Sequence, residues 1–112
     1  MNYQIQEEAD FRYVDEGQGE VLLLLHGLFG ALSNWESVSK TFSNRYRVVI
    51  PLLPIYEMPS RQASLEGLVS YIEKFVAWKS LHNMTLLGNS LGGHLAILYT
   101  FNNPDQVRGL VL

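Results

Sequence analysis

Two kinds of hydrophobic pattern follow one another along the chain. Apolar and polar residues alternate over residues 3–8 and again over residues 10–16, and this period of two predicts two half-buried strands joined by a tight turn. Continuous apolar runs come next, and each is typical of a strand that is covered on both faces. They occupy residues 21–25, 46–50, 84–87 and 110–112. The sequence therefore predicts a β-hairpin followed by four buried strands.

Helical spacing fills the stretches between these strands. Apolar residues recur every three or four positions over residues 34–42, 64–78 and 91–101, which predicts three helices. Alternation of strand and helix predicts an α/β fold: a mostly parallel sheet with right-handed crossovers, helices on both faces and an N-terminal β-hairpin. With 112 residues, the chain forms one domain at most.

Composition narrows the classes of partner and cofactor. The formal net charge is -3 and no run of Lys or Arg occurs, so we expect neither nucleic acid nor a membrane surface as a partner. The polar, acidic first ten residues do not resemble a signal peptide, and we expect a cytoplasmic protein. The absence of cysteine excludes disulfides and thiolate metal sites, and we expect no metal and no cofactor.

The strongest chemical signal is the sequence Gly-Asn-Ser-Leu-Gly-Gly at residues 88–93, between a predicted strand and a predicted helix. A sharp turn from strand to helix strains the backbone of the central residue, and small neighbours such as Gly88 and Gly92 leave room for it. Ser90 would then project into solvent as a nucleophile, with the backbone N–H of Leu91 at the positive end of the helix. The alternative is that Ser90 is an ordinary helix cap between two structural glycines.

A second glycine turn, His-Gly-Leu-Phe-Gly at residues 26–30, follows the strand over residues 21–25. Because carboxyl ends of parallel strands meet at one edge of a sheet, Gly27 would bring the chain close to Ser90. We expect the N–H of Leu28 to join that of Leu91 in an oxyanion hole, with His26 as a structural hydrogen-bond partner. The alternative is a purely structural glycine turn. A phosphate cradle is a weaker interpretation, since neither turn matches a nucleotide-binding motif.

Together with the segment Asn-Pro-Asp-Gln-Val-Arg-Gly-Leu-Val-Leu at residues 103–112, these turns resemble the N-terminal half of an α/β-hydrolase-fold serine hydrolase, up to the sixth strand. The resemblance implies that residues 1–112 are the N-terminal part of the core domain, and that the lid and last strands are absent. It also implies an esterase-like activity on a small-molecule acyl substrate through Ser90. Supporting residues would be His26, Gly27, Gly88, Asn89, Gly92 and Gly93. Carbon-carbon bond hydrolases have a similar elbow.

One loop departs from the family pattern. Where the family has Pro-Asp-X-Pro-Gly-X-Gly after the second buried strand, this chain has Leu52 in place of the aspartate and Ile55 and Glu57 in place of the glycines. We expect the altered loop to form an apolar wall beside the site. Its members would be Leu53, Ile55, Tyr56 and Met58.

The residues that activate the serine are not evident in the sequence. A serine nucleophile needs a base that is itself oriented by a third group, and the family supplies both from loops beyond residue 112. Among the local histidines, His82 is expected at the opposite end of the sheet and His94 is expected to pack on its helix. The last strand would leave an apolar edge, so we expect self-association or a complementing chain there. A catalytically incomplete assembly module is therefore the alternative function.

Overall fold

The computed structural model describes residues 5–26, 36–54 and 64–112, without the side chains of Glu36 and Val38. Each predicted strand and helix has a counterpart in these residues. In chain order the elements are β1 (Gln6–Glu8), β2 (Phe11–Glu16), β3 (Val21–Leu25), α1 (Glu36–Phe42), β4 (Arg47–Pro51), α2 (Leu65–Lys79), β5 (Met84–Gly88), α3 (Leu91–Asn102), a short 3-10 helix (Pro104–Gln106) and β6 (Val107–Val111).

The strands form one sheet in the order β1-β2-β4-β3-β5-β6. The hairpin strands β1 and β2 are antiparallel to their neighbours, whereas β4, β3, β5 and β6 run parallel. Leu25 at the end of β3 pairs with Gly88 at the end of β5. The segments that follow these two strands therefore leave the sheet side by side at one edge. The α/β fold with a mostly parallel sheet and an N-terminal hairpin is confirmed.

Apolar side chains fill the space on both faces of the sheet. On one face, residues of β3 such as Leu23 and Leu25 contact the buried sides of α2 and α3 in the larger core cluster. On the other face, Leu22 and Leu24 belong to a second cluster with residues of β2 and β4. Helix α1 lies on this second face, where Phe42 stacks edge-on against Tyr46. Burial on both faces explains why the β3 sequence is apolar without alternation.

A charged cluster joins the hairpin to the parallel part of the sheet. Arg47 donates hydrogen bonds to both carboxylate oxygens of Asp15, at 2.9 and 2.7 Å, and Lys79 at the end of α2 lies 2.8 Å from the same carboxylate. Burial raises the pKa of Asp15, but the hydrogen bonds from Arg47 and Lys79 outweigh it and hold that pKa below its ordinary value. The ammonium group of Lys79 also lies 4.5 Å from the ring centre of Tyr13.

The sixth strand is longer and less buried than its apolar run predicts. The run predicted a buried strand over residues 110–112, but β6 spans Val107–Val111, and Leu110 and Val111 are exposed, as is Leu112 beyond the strand at 68%. Their exposure agrees with the apolar edge that was expected at this last strand. In the described part of the chain, β6 is the last strand of the sheet and pairs with β5 alone. On the side of β6 that faces away from β5, no further strand of the described residues covers its side chains. Residues 34–35 of the first predicted helix lie outside the described residues.

Candidate functional site

The junction between β5 and α3 has the strained backbone that its sequence predicts. Ser90 has φ 58° and ψ -124°, a conformation that residues with a side chain rarely adopt. It occupies the cap position before α3, yet its side chain makes no capping hydrogen bond and the residue is exposed. An ordinary helix cap has an extended backbone and an oxygen that accepts from the first turn. Ser90 therefore does not act as a conventional cap.

Close backbone contacts require glycine on both sides of Ser90. A Cβ built on Gly88 would overlap the backbone oxygen of Gly92, and a Cβ on Gly92 would overlap the backbone oxygen of Leu25. By contrast, a Cβ on Gly93 would meet its nearest atom at 3.7 Å, which is ordinary contact. The first turn of α3 thus lies directly against the end of β3. Gly88 and Gly92 therefore lie two residues before and two residues after Ser90 because neither position has room for a side chain.

Backbone hydrogen bonds hold the same junction. The N–H of Asn89 donates to the backbone oxygen of Leu25 at 3.4 Å, and the N–H of Gly92 donates to that of Asn89 at 2.9 Å. Leu91 is the first residue of α3, so its amide lies at the positive end of the helix. The arrangement suits stabilisation of negative charge that develops next to Ser90.

His26 links the end of β3 to the segment after β4. The backbone N–H of Leu53 donates to Nε2 of His26 at 3.1 Å. In this hydrogen bond Nε2 is the acceptor, so this ring nitrogen is engaged by the Leu53 backbone. Leu53 itself is buried in the larger core cluster, at 8% exposure. The side chain of Leu53 is thus part of the core, and the apolar wall of which it was expected to be a member stays a prediction.

Several predicted residues lie outside the described residues. Gly27 and Leu28 are among these, and the oxyanion role of Leu28 stays a prediction. The rest of the expected apolar wall, Ile55, Tyr56 and Met58, is also outside them.

Neither of the other two histidines occupies a buried position. His82 is exposed and precedes β5, so that the length of this strand separates it from Ser90. His94 is exposed on α3, so it is not the buried residue that was one expectation for it. The helix buries a different side, made of Leu95, Ala96 and Tyr99.

The described residues contain grooves, but neither a candidate metal site nor a membrane-spanning helix. Within residues 5–26, 36–54 and 64–112, no group of three or more His, Asp or Glu is arranged to hold a metal ion. None of the helices in these ranges is long and apolar enough to cross a membrane. A groove of about 300 Å³ lies on the α1 face of the sheet, and Ser90 is not among its lining residues. It is lined by Glu20, Leu22, Phe42, Tyr46, Thr85, Leu87 and Val111.

The sequence did not reveal the partner of His26. Its contact with Leu53 joins residues 27 positions apart through a backbone amide. A backbone donor has no residue-type signature, so only the fold could show this contact.

A family model and several relatives place this chain among the same group of proteins. Residues 20–112 match the family model described as alpha/beta hydrolase fold. A 2-hydroxy-6-oxo-2,4-heptadienoate hydrolase of Pseudomonas putida is 30% identical over 105 residues, covering 88% of this chain and 38% of that protein. A monoacylglycerol lipase of Bos taurus is 29% identical over 121 residues, covering 100% of this chain and 36% of that protein.

Solved structures agree with these relatives. The crystal structure of an alpha/beta hydrolase enzyme from the metagenome of lagoon sediments at Mar Chica, Morocco, superposes with a TM-score of 0.91 at 41% identity. The match covers 96% of this chain and 49% of that one. The chain thus spans less than half the length of each of these three proteins.

Proposed function

Because the chain belongs to the α/β hydrolase family, we propose that it is the nucleophile-bearing part of a serine hydrolase that cleaves a carboxylic ester or a similar acyl bond. The observation that carries this proposal is the backbone of Ser90, strained at φ 58° and exposed at the edge of the sheet where β3 and β5 end. Strain of 1–3 kcal/mol, an order of magnitude typical of such residues, persists where the surrounding structure imposes it and often marks a functional residue.

The proposed reaction passes through a covalent intermediate. Ser90 Oγ attacks the acyl carbon while a histidine from outside these 112 residues accepts its proton. The carbonyl oxygen becomes an oxyanion, to which the amides of Leu91 and Leu28 donate hydrogen bonds. When the tetrahedral intermediate collapses, the bond to the leaving alcohol breaks and the alcohol receives the proton from the histidine. Water then attacks the acyl-serine, with the same histidine as base, and releases the acid and free Ser90.

We propose that the base and the acid come from additional polypeptide. His26 Nε2 is occupied by the Leu53 amide, and His82 lies across the length of β5 from Ser90. The chain covers 49% of the Mar Chica hydrolase, so about half of that enzyme has no counterpart here. We therefore propose that the nucleophile and oxyanion donors act only after the fold is completed, in cis or by a second chain.

A completed protein tests this proposal. Residues 1–112 are joined to the part of the Mar Chica hydrolase that the chain does not cover, and hydrolysis of p-nitrophenyl butyrate is followed by absorbance. We expect a burst of one nitrophenol per protein followed by slower turnover, as an acyl-enzyme requires. Ser90→Ala should abolish the burst, whereas Ser80→Ala, at another serine with positive φ, should retain it. Equal turnover in the Ser90→Ala protein would contradict the proposal.

Hydrolysis of a carbon-carbon bond is a second candidate activity. The sequence at residues 88–93 resembles the elbow of such enzymes, and the Pseudomonas putida relative is by name a hydrolase of a hydroxy-oxo-dienoate. The same completed protein distinguishes the two activities through the loss of dienoate absorbance. Turnover of the dienoate at least tenfold faster than of the ester would favour this second activity.

An assembly role is the other candidate function. It is supported by the exposed apolar edge at β6, where Leu110, Val111 and Leu112 are 38%, 53% and 68% exposed. An unpaired strand edge is a template for pairing with another chain. Sedimentation of the 112-residue chain at rising concentration tests this role, and a monomer at all concentrations would exclude self-association through β6.

A further inference from the structure

A second groove lies between α2 and α3, on the face of the sheet opposite α1. Its floor is apolar, because Val69 is buried and Leu98 packs against the larger core cluster. Ser90 is not among the residues that line it, so the groove is distinct from the candidate site. The groove has a volume of about 330 Å³ and is lined by Glu66, Val69, Glu73, Leu98, Phe101 and Asn102.

One wall of the groove is an exposed aromatic side chain. Phe101, near the end of α3, is 84% exposed, the highest value among the large apolar side chains in the described part of the chain. Single apolar residues are common on protein surfaces and need no special explanation. This one adjoins an apolar floor, so that Phe101, Leu98 and Val69 together offer a partner a continuous apolar contact.

The groove also carries negative charge. Among the described residues, no Lys or Arg forms an ion pair with Glu66 or Glu73, which both line it. Glu73 Oε2 accepts a hydrogen bond from Asn103 Nδ2 at 2.8 Å, which holds this carboxylate in place. Helix α3 ends at Asn102 with no basic residue in its last turn, so the negative end of its dipole lies beside the groove without a cation of its own. The groove therefore suits a partner with positive charge.

The spacing of the carboxylates on α2 indicates the form of such a partner. Glu66 and Glu73 are seven residues apart, which corresponds to two helical turns and about 10.5 Å along the helix. Val69 lies between them on the same side of α2, since residues three and four positions apart are neighbours on a helix surface. A helix that lies along α2 presents its own side chains at the same two-turn spacing. The surface thus matches a helix with cations at positions i and i+7 and an apolar residue between them.

Continuation of the sheet beyond β6 would leave this groove open. Helix α2 leads from β4 to β5, α3 leads from β5 to β6, and both helices lie on the same face. A right-handed crossover that continued past β6 would place its helix on the β6 side of α3. The groove lies on the other side of α3, against α2.

We propose that the groove between α2 and α3 docks a basic amphipathic helix of a partner protein. Two Arg or Lys side chains of that helix, seven positions apart, pair with Glu66 and Glu73. A large apolar side chain between them rests on Val69, Leu98 and Phe101. This docking site does not depend on the proposed function, because none of its contacts involves the β5-α3 junction.

A fluorescent peptide tests the docking site by titration with the 112-residue chain. The probe is an alanine-rich helix with arginine at positions i and i+7 and leucine at i+3 and i+4, and fluorescence anisotropy follows its binding. We expect saturable binding with a Kd on the order of 10⁻⁴ M, as for a small transient contact. Glutamate in place of both arginines should abolish binding.

A second peptide separates spacing from composition. Moving the second arginine to i+9 places it on the far side of the peptide helix, and we expect Kd to rise at least about fivefold. Because both peptides have the same residues and the protein is unchanged, folding of the protein does not enter this comparison. Equal affinity of the two peptides would overturn the inference, as would the absence of binding by the first.

Substitutions in the protein give the matched comparison. Glu66→Gln combined with Glu73→Gln removes both charges but keeps an acceptor oxygen at each position, and we expect Kd to rise about tenfold. Phe101→Ala should also raise Kd about tenfold, because the apolar contact of the ring is lost. Glu7→Gln and Phe42→Ala change a carboxylate and an aromatic outside the groove, and each should alter Kd less than about twofold. Equal effects inside and outside the groove would overturn the inference.

Amide NMR shifts locate the contact. We expect the peptide to shift the amides of Val69, Leu98 and Phe101, and to leave those of Val111 and Leu112 unchanged. Shifts confined to β6 would show that the peptide binds the exposed edge of the sheet and would overturn the inference.

Discussion

Gly92 lies so close to Leu25 that a Cβ at position 92 would overlap the Leu25 backbone oxygen. This contact brings the first turn of α3 against the end of β3, and it connects the two segments that the sequence singled out. The backbone cannot yield easily on either side, because Leu25 is paired with β5 and Gly92 is fixed within a helix. The closeness of helix and strand is what makes the glycine necessary.

Gly92→Ala should therefore destabilise the protein. We expect the free energy of unfolding to fall by about 1–3 kcal/mol, the cost typical of overpacking a buried site, in urea unfolding followed by circular dichroism. Gly93→Ala is the matched control, because its Cβ would meet no atom closer than 3.7 Å. Alanine at position 93 should gain up to about 1 kcal/mol from better helix propensity. Equal effects at the two positions would contradict the steric account.

Substitutions of Ser90 should reveal the strain in its backbone as a change in stability. Ser90→Gly removes the Cβ from a backbone at φ 58°, and we expect a gain of about 1 kcal/mol in the free energy of unfolding. Ser90→Ala retains the Cβ and should stay within about 0.5 kcal/mol of the original protein. Thermal unfolding of both variants measures the difference. A Ser90→Gly variant less stable than Ser90→Ala would show that the serine backbone is not strained.

Acid should weaken the fold through Asp15. Its pKa is held below the ordinary value of about 3.9, so the folded state binds this proton less readily than the unfolded state. The contribution is therefore complete above about pH 5 and disappears as the pH falls through the lower folded-state pKa. Asp15→Asn should lose about 2 kcal/mol at pH 7, on the scale of hydrogen bonds to charged groups, and should show a flatter acid dependence.

The pH dependence of urea unfolding measures this contribution between pH 2 and pH 7. Glu7→Gln serves as the control, because its carboxylate is 74% exposed and lies 3.7 Å from Arg12. An exposed pair of this kind contributes within about 1 kcal/mol. An Asp15→Asn variant with the same acid dependence as the original chain would contradict the assigned role of Asp15.

The edge strand offers a further prediction. Val111→Lys places a charge on a side chain that is 53% exposed on β6, and we expect it to shift the chain towards monomer in sedimentation. Leu65→Lys, at a side chain that is 37% exposed at the start of α2, should leave association unchanged. An equal effect of the two substitutions would indicate association through general apolar surface and not through the β6 edge.

Much of this architecture was predictable because it depends on local patterns. The apolar run of β3 and the helical spacing of α2 each reflect a face that must be buried, and burial leaves its period in the sequence. The glycines around Ser90 were likewise visible, since a steric requirement for the absence of a side chain selects one residue type. The strain at Ser90 then follows from its place between strand and helix.

Contacts made through backbone atoms or across the sheet were not predictable. The direction in which Leu53 points is an example: an apolar loop residue carries no sign of which way its side chain lies, and the fold places it in the core. The apolar sequence of β6 predicted burial when taken alone, and only its place at the edge of the sheet predicted the exposure that the structure shows. The Leu53 hydrogen bond to His26 leaves no trace in residue types either.

The central claim is that Ser90 is the nucleophile, and covalent labelling tests it most directly. The completed protein is treated with a fluorophosphonate, digested and mapped by mass spectrometry. We predict a single phosphonyl adduct on Ser90, lost in Ser90→Ala, and no adduct on the 112-residue chain alone. An adduct on a different residue, or equal labelling of the Ser90→Ala protein, would contradict the assignment.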